Sequence, residues 1–271
     1  VTVMLGESAS LADQEALRAA LGLNQVLYVQ FIHYLMALLQ GDWGISIHQH
    51  QAISTLIAQH YPATMQLALC ALVIGVGIGL PLGVLAALTA RRWPDILITL
   101  FSVRLSAMPV FWLGPLLMLI FALWLGWLPV SGMEKTNSIV LPAITLGLSL
   151  SAILTRMTRA SLLEVLHDDC LRTARAKGLS EFAVISRHAL RLALLPIVTI
   201  LGLQMGSLLA GALMTETIFS WNGIGRLLID SIEQRDYPLT QACVLVIALS
   251  YVLINQFTEL AYHYLDPRSR R

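Results

Sequence analysis

The sequence predicts an all-α integral membrane protein, and two properties of the chain support this. Its 271 residues are 57% hydrophobic and only 12% charged, with a mean hydropathy of +0.74, whereas a soluble domain is ordinarily about a quarter charged. In addition, long apolar runs alternate with charged segments. Each run is long enough to cross a hydrocarbon core of about 30 Å at about 1.5 Å of rise per residue.

These apolar runs are predicted to be helices, because every backbone donor within a bilayer must be satisfied inside the chain. Several prolines are predicted to kink the helices or to lie near their ends. They are Pro81, Pro109, Pro115, Pro142 and Pro196. The five predicted spans are residues 63–88, 96–125, 139–158, 192–215 and 239–262.

The distribution of Lys and Arg predicts the orientation, because cytoplasmic loops carry an excess of both. Most of these residues flank one side of the predicted bundle, which holds the segment 164–191 and the tail 266–271. That side is predicted to be cytoplasmic, with a transmembrane domain over residues 63–265. The regions predicted to face outward are residues 1–62, 126–138 and 216–238.

The predicted topology places the start of the chain outside the cell. No cleavable signal pattern explains how residues 1–62 would cross the membrane. We therefore expect a further span ahead of this sequence, in preference to insertion with the N-terminus outside.

Two predicted spans carry small residues four positions apart. Such stripes form a groove that lets a neighbouring helix approach closely. The alternative is that membrane helices merely tolerate glycine, but stripes on two separate spans favour a compact bundle. The residues are Gly75, Gly79 and Gly83 in the first predicted span, and Gly202, Gly206 and Ala210 in the fourth.

A short basic segment separates the third and fourth predicted spans, and it is too highly charged to lie within a bilayer. Its pattern predicts a helix over residues 168–177, with Asp168 and Asp169 near the positive N-terminal end. Gly178 is predicted to end the helix in a left-handed conformation. Ser180 is predicted to cap the helix that follows.

The basic segment is also a candidate docking surface. Ala174 and Ala176 are predicted to leave room for the surface of another protein. On these residues alone, a membrane-surface helix bound to anionic lipid is the alternative.

No pattern typical of an enzyme is present in the sequence. It contains no GxxxxGK[ST] phosphate loop, no HExxH and no GxSxG. Cys70, Cys170 and Cys243 lack metal-binding spacing, which predicts reduced and unpaired thiols. No basic patch with interleaved aromatic residues indicates nucleic-acid binding. The chain is predicted neither to hydrolyse ATP nor to carry a nucleophile.

Polar groups inside the predicted spans are candidates for a transport pathway, because they are costly in lipid and should face protein or water. Hydrogen bonding between helices is an equally good interpretation for each of them. Arg104, Arg156 and Arg159 are interpreted mainly as snorkelling or interface charges. The pathway candidates are Ser149, Ser151, Gln204, Ser207, Asn255 and Gln256. Glu259 is the one carboxylate well inside a predicted span.

Histidines in the predicted outer region are weak candidates for a metal site. Imidazole suits nickel and copper, and in an extended chain His48 and His50 would point to the same side. Two ligands are few for a tight site, and solvated loop histidines are the commoner case.

The basic segment, RTARAKGLS at 172–180 followed by RHALR at 187–191, closely resembles the cytoplasmic loop of ABC-importer permeases. The chain is most similar to the dipeptide/oligopeptide/nickel permease family. Further matching motifs are GDWGIS at 41–46, TETIFSWNGIGR at 215–226, RDYP at 235–238 and LDPR at 265–268. Two positions depart from the usual motifs: Arg172 stands where the loop normally begins with Glu, and Asn222 where Pro is more usual.

The resemblance implies a type I ABC importer-like transmembrane domain, a fold that normally has six spans. It also implies that the basic segment is a coupling helix, which docks in a cleft of an ATPase subunit. The residues assigned to this helix are Arg172, Thr173, Ala174, Arg175, Ala176, Lys177, Gly178, Leu179 and Ser180.

The implied function is that of a permease subunit in the bacterial inner membrane, which moves short peptides or nickel and metal chelates by alternating access. The implied partners are a second, homologous permease, two ATP-binding subunits that hold the ATP and Mg²⁺, and a periplasmic or lipid-anchored solute-binding protein. No cofactor is expected in this chain. The candidate contacts for the binding protein are Asp42, Trp43, Glu216, Trp221, Arg235 and Asp236.

A different class of function is the alternative. An ion-coupled secondary transporter or a non-transporting membrane scaffold subunit would need no ATPase. A secondary transporter typically shows internal repeats and intramembrane carboxylates. The sequence has no convincing repeat, which favours the ATP-driven importer.

Overall fold

The computed structural model describes residues 24–133 and 135–265, and these residues are helical apart from loops and one isolated bridge between Ile45 and Ala52. Part of the predicted outer region and the whole predicted tail 266–271 lie outside the described residues. The α-helices are α1 Leu27–Leu39, α2 Ile53–Leu88, α3 Trp93–Ala107, α4 Val110–Leu117, α5 Val140–Val165, α6 Asp169–Ala176, α7 Glu181–Ala183, α8 Leu190–Ile218, α9 Ile224–Glu233 and α10 Tyr237–Leu265.

Among the described residues, three helices are long and apolar enough to cross a membrane without a break. They are Ile53–Leu88, Asn137–Val165 and Tyr237–Leu260. Two bent helix pairs pass the same test, so the described chain has up to five spans if each pair is one span. These five elements match the five predicted runs in order and approximate position.

The second predicted span, 96–125, is not one continuous helix. Helix α3 ends at Ala107, and the segment Val110–Trp124 runs at 106° to it. Met108 and Pro109 have extended backbone between the two helices, because a residue before proline is forced away from the helical region. Beyond Leu117, helix α4 continues as a π-helical stretch, Met118–Trp124.

The first predicted span, 63–88, is too short at its N-terminus. Helix α2 begins at Ile53 and has 36 residues, with Pro62 and Pro81 inside it. Its length of about 54 Å exceeds the roughly 30 Å of a hydrocarbon core. Its first turns are stabilised by tertiary packing, since Ile53 and Leu56 are buried against α9 and α10.

The fourth predicted span, 192–215, lies within α8. This helix follows a π-helical stretch, Val184–Ala189, and the segments Glu181–Leu194 and Pro196–Leu209 meet at 50°. The bend lies at Pro196, which lacks the backbone N–H of a regular helix. The predicted kink at Pro196 is therefore confirmed.

The predicted glycine grooves are confirmed at two helix contacts. A side chain at Gly75, Gly79 or Gly83 would collide with α5, where Leu150, Leu154 and Thr158 lie directly opposite. Gly202 and Gly206 of α8 lie in the same way against Thr258 and Tyr251 of α10. Small residues thus let α2 approach α5, and α8 approach α10, at close range.

Separate apolar clusters close the two ends of the bundle. At one end, which we call the α9 end, Ile53 packs with Leu227 of α9 and Leu239 of α10. At the other, which we call the α6 end, Ala87 of α2 packs with Leu162 of α5 and with α6. The segment 164–191 and the arginines after α2 share the α6 end, as the orientation rule predicts.

Candidate functional site

Helix α6 and its flanking turns have the local structure predicted from the sequence. The Asp168 side chain accepts a hydrogen bond from the Cys170 N–H at 3.2 Å. Gly178 ends the helix with φ +79°, in the left-handed region that glycine adopts without strain. The Ser180 hydroxyl then accepts from the Ala183 N–H at 3.4 Å and caps α7.

Two apolar side chains attach α6 to the bundle. Leu171 is fully buried and Ala174 is 5% exposed, and both pack beside Ala87 and Leu162. Residues three apart lie on the same face of a helix, so the pair forms an anchoring face. The prediction that Ala174 leaves room for another protein is therefore wrong, because Ala174 faces the bundle.

The opposite face of α6 is polar and exposed. Arg175 pairs with Glu181 at 2.8 Å, and Arg172 pairs with Asp169 at 3.1 Å. Both pairs lie at the surface, where an ion pair contributes little stability. Beside Arg172 and Arg175, the assigned coupling residues that are exposed are Thr173, Ala176, Lys177, Gly178, Leu179 and Ser180.

Phe182 was missed by the sequence analysis. Its side chain is 82% exposed, directly after the cap of α7 and close to the polar face of α6. Because aromatic groups are enriched at protein interfaces, Phe182 is a candidate interface residue. The sequence does contain a signal for this exposure. Phe182 lies just after the Ser180 cap, in a helix too short to have a buried face.

Glu216, a predicted outer contact, is completely buried at the α9 end. Its Oε1 accepts a hydrogen bond from the Thr64 hydroxyl at 2.6 Å, and its Oε2 accepts from the Gly225 and Arg226 N–H groups at 2.8 Å and 3.1 Å. The Thr64 hydroxyl oxygen in turn accepts from the Ile224 N–H. Glu216 therefore satisfies the first turn of α9 and ties it to α2.

Asp236 and Trp221 are also buried, at 0% and 4% exposure. The Ser46 hydroxyl donates to Asp236 at 2.6 Å, and the Trp221 indole N–H donates to the Ala63 carbonyl at 3.0 Å. These side chains hold loops together rather than forming an open surface. The other predicted outer contacts differ: Asp42 and Arg235 are exposed and Trp43 is half-buried.

The predicted arrangement of His48 and His50 is not found. The two exposed residues lie in a turn, and His50 has φ +52°, so the chain is not extended there. The predicted pair of parallel imidazoles depended on an extended chain. Within residues 24–133 and 135–265, no group of three or more His, Cys, Asp and Glu side chains is placed to hold a metal ion.

The pathway candidates occupy two different environments. Ser151 is buried in the contact between α2 and α5, and its hydroxyl donates to the Leu148 carbonyl at 2.7 Å. Ser149 is half-buried and donates to the Thr145 carbonyl at 3.4 Å. The more accessible candidates lie on α8 and α10: Gln204 and Asn255 are half-buried, and Ser207 and Gln256 are exposed.

Two of the hollows next to these helices contain polar side chains of interest. A groove of about 390 Å³ between α8 and α10 is lined by Thr199, Asn255 and Glu259 among others. A mainly apolar cavity of about 540 Å³ lies between α2, α8, α9 and α10, with Tyr61 and Glu216 in its wall. The groove thus brings Asn255, a pathway candidate, next to Glu259, the carboxylate inside the last predicted span.

Arg159 is not simply a snorkelling side chain. It donates two hydrogen bonds to Asp95 of α3, at 2.5 Å and 2.8 Å, and Asp95 is 3% exposed. The residues are 64 positions apart, so no local pattern indicates the pair. Arg104 and Arg156 are exposed, in agreement with their interpretation as surface charges.

Comparison with known proteins identifies close relatives. The chain is 41% identical over 268 residues to the glutathione transport system permease protein GsiC of Escherichia coli strain K12, covering 99% of this chain and 88% of that protein. It is 43% identical over 253 residues to the Salmonella typhimurium protein of the same name, covering 93% and 83%.

Solved structures share the fold at low sequence identity. An inward-facing form of the MetNI methionine ABC transporter matches with a TM-score of 0.68 and 16% identity, covering 79% of this chain and 97% of that chain. An amino acid ABC transporter crystallised with histidines matches with a TM-score of 0.62 and 17% identity, covering 78% and 94%. The predicted type I ABC importer fold is confirmed.

A family model completes the comparison. The binding-protein-dependent transport system inner membrane component model matches residues 79–271. The predicted family and the predicted location in the bacterial inner membrane are thereby confirmed. In such transporters ATP is hydrolysed by subunits other than the permease. The chain belongs to the family of binding-protein-dependent inner membrane transport components, and it is a permease subunit of an ABC importer.

Proposed function

We propose that this permease imports short peptides of the size and chemistry of glutathione, and that ATP-driven movement of α6 opens its pathway alternately to the two sides of the membrane. A second homologous permease, two ATP-binding subunits and a solute-binding protein complete the transporter. The ATP and Mg²⁺ are held by the ATP-binding subunits. The observation that carries this proposal is the division of α6 into a buried apolar face and an exposed basic face.

The buried face makes α6 a firm attachment point. Leu171 and Ala174 share one buried apolar cluster with residues from α2, α5 and the stretch before α8, so a force on α6 is passed to this cluster. A packed interior transmits displacement because it has low compressibility.

The exposed face supplies the docking surface for an ATPase subunit. Arg172 and Lys177 offer charge, Ala176 allows close approach, and Phe182 offers an apolar anchor. Arg175 differs from these residues, since it is already paired with Glu181 of α7. An aromatic anchor within a polar rim is the usual composition of a specific interface.

Relatives that transport glutathione favour peptide cargo over nickel. The permeases that match over almost the whole chain are named for glutathione. The geometry at His48 and His50 lends nickel no support, because these exposed residues lie in a turn. A thiol tripeptide is therefore the cargo to test first, with Ni²⁺ and a nickel chelate as competitors.

The docking surface is tested by substitution at Ala176, which is exposed on α6. Ala176→Trp should reduce recovery of the ATPase with the affinity-purified permease by at least about tenfold, because a bulky side chain prevents close approach. Ala58→Trp is the matched control, since Ala58 is exposed on α2 at the other end of the bundle. Normal recovery of the ATPase with Ala176→Trp would show that the docking assignment is wrong.

The cargo is tested in vesicles that contain the complete transporter and its binding protein. ATP-dependent uptake of labelled glutathione, unaffected by excess Ni²⁺, is the expected result. Uptake without ATP would instead favour an ion-coupled secondary transporter. Uptake of nickel in place of glutathione would contradict the assignment of peptide cargo.

A further inference from the structure

A partly buried ion pair joins α3 to α5 near the α6 end, and the Arg159 side chain is 29% exposed. Asp95 lies in the first turn of α3, and its side chain is 4% exposed. Arg159 of α5 donates from Nε to Oδ1 at 2.5 Å and from Nη2 to Oδ2 at 2.8 Å. Such a two-pronged contact fixes orientation as well as distance.

The same carboxylate also closes the turn between α2 and α3. The Arg91 N–H donates to Asp95 Oδ2 at 2.8 Å, and the Thr99 hydroxyl donates to Oδ1 at 3.2 Å. Arg91 has φ +63°, a left-handed conformation that is costly for a residue with a side chain. Asp95 thus holds the turn, α3 and α5 in one arrangement.

Helix α3 has little apolar attachment in this region. Its buried residues are Asp95, Ser102 and Leu105, and Leu105 lies almost three turns beyond Asp95. Ile96 and Leu97 near the start of the helix are exposed. Ile98, one turn after Asp95, is only half-buried, so the first half of α3 is attached by directional polar bonds with limited apolar burial.

Folding stability alone is a poor explanation for such a pair. The cost of removing the Asp95 charge from water offsets part of the attraction, and well-packed apolar residues often stabilise a protein equally well. A bidentate contact, however, fixes the relative orientation of two helices more precisely than apolar packing does.

The position of the pair relates it to the docking surface. Arg159 lies three residues before Leu162 on α5, and Leu162 packs with Leu171 and Ala174 of α6. Helix α3 leads through the break at Pro109 into α4, where Gly114 lies against Phe219 near the α9 end. The pair thus connects α5, which packs near α6, with α3, which is the first half of the broken span.

We propose that Asp95 and Arg159 are positioning residues for transport: their bonds make α3 follow α5 when α6 moves, so that ATP-driven movement reaches α4. This inference rests on the proposed importer function. It predicts that loss of the pair uncouples ATP hydrolysis from uptake without preventing assembly.

The test uses the complete transporter in vesicles, with labelled glutathione as the probe. The variants are Arg159→Gln, Asp95→Asn and the apolar double variant Asp95→Leu with Arg159→Met. Arg156→Gln is the matched control, because Arg156 lies one turn earlier on the same helix and is exposed. The measurements are glutathione taken up per ATP hydrolysed, and the thermal stability of the purified complex.

We expect Arg159→Gln and Asp95→Asn to lower uptake per ATP by about tenfold, a typical size for a coupling effect between distant sites. Basal ATP hydrolysis should stay within about twofold of the unsubstituted transporter, and Arg156→Gln should behave normally. The apolar double variant should recover thermal stability and remain uncoupled, because packing replaces the stability but not the orientation.

Normal uptake per ATP in the apolar double variant would overturn the proposal, because the pair would then be purely structural. Failure of all three variants to assemble would overturn it as well, in favour of a role in folding. Failure of the proposed function itself is distinguishable, since the unsubstituted complex would then show no ATP-driven glutathione uptake.

Discussion

The two ends of this permease differ in what surrounds their buried carboxylates and in which element carries exposed charge. At the α9 end, Glu216 and Asp236 are fully buried, and the contacts described here for them come from hydroxyl and backbone N–H groups. At the α6 end, the charged residues of α6 are exposed, and Asp95 is buried against an arginine. The first end buries two carboxylates beside exposed charges such as Glu233 and Arg235, and the second carries an exposed charged helix.

This difference indicates that the ends perform different mechanical tasks. A buried carboxylate that satisfies several donors fixes loops in one geometry, because any opening leaves donors unsatisfied. An exposed charged helix on a small apolar anchor can instead be held by another protein. We therefore expect the α9 end to act as a rigid cap, and in the proposed transporter the α6 end is the point of attachment.

The largest expected effect comes from removing the buried carboxylate of the cap. Glu216→Ala leaves the Thr64 hydroxyl and the Gly225 and Arg226 N–H groups without their acceptor. It should cost about 3 kcal/mol or more of stability, measured as a lower thermal unfolding midpoint of the purified permease. The control is Glu233→Ala, at an exposed position. If Glu216→Ala left the unfolding midpoint unchanged and reduced only the affinity for the binding protein, the structural role of Glu216 at the α9 end would be contradicted.

A matched pair of glycine substitutions compares the ends directly. A side chain at Gly223 would collide with the Glu216 carboxylate, whereas nothing lies within 4 Å of one at Gly178. Gly223→Ala should therefore destabilise by about 2 kcal/mol or more through overpacking. Gly178→Ala should cost only about 1 kcal/mol, for the left-handed backbone at φ +79°. Equal unfolding midpoints for the two variants would contradict this ranking.

The hydrogen bond between Ser46 and Asp236 gives a smaller effect. Ser46→Ala removes one donor from a buried carboxylate and should cost about 1–2 kcal/mol. Because the bond connects the segment before α2 to the start of α10, hydrogen exchange should increase in residues 42–52 before it increases elsewhere. Unchanged exchange in this segment would show that the bond does not hold it.

At the α6 end, substitution of an exposed arginine should barely affect stability. Arg172→Ala breaks a surface pair with Asp169 and should change stability by at most about 0.5 kcal/mol. ATPase binding to the purified permease should nevertheless weaken measurably. A large loss of thermal stability would mean that the exposed face of α6 is structural, and the contrast between the ends would fail.

Much of this architecture was predictable because its signals are local. Apolar runs locate the spans, small residues four apart locate the close contacts, and Gly178 and Ser180 mark the ends of short helices. Each of these features depends on residues within one or two turns of each other.

Features that depend on distant contacts could not be predicted in this way. Asp95 and Arg159 are 64 residues apart, and Glu216 meets Thr64 across 152 residues. Acidic residues next to a predicted span suggest an exposed loop, so Glu216 and Asp236 were assigned to the surface. Ala174 was misplaced for a similar reason, because a small residue does not reveal which side of a short helix is buried.

Helix α2 is the longest helix among the described residues, and it extends from one end of the bundle to the other as a single helix. Ile53 lies in the cluster at one end and Ala87 in the cluster at the other. For a rod of about 54 Å, a tilt of about 5° around its midpoint swings each tip sideways by about 2 Å, in opposite directions. In the proposed mechanism, a small displacement of α2 on the cytoplasmic side would therefore move its other end by a similar distance in the opposite direction.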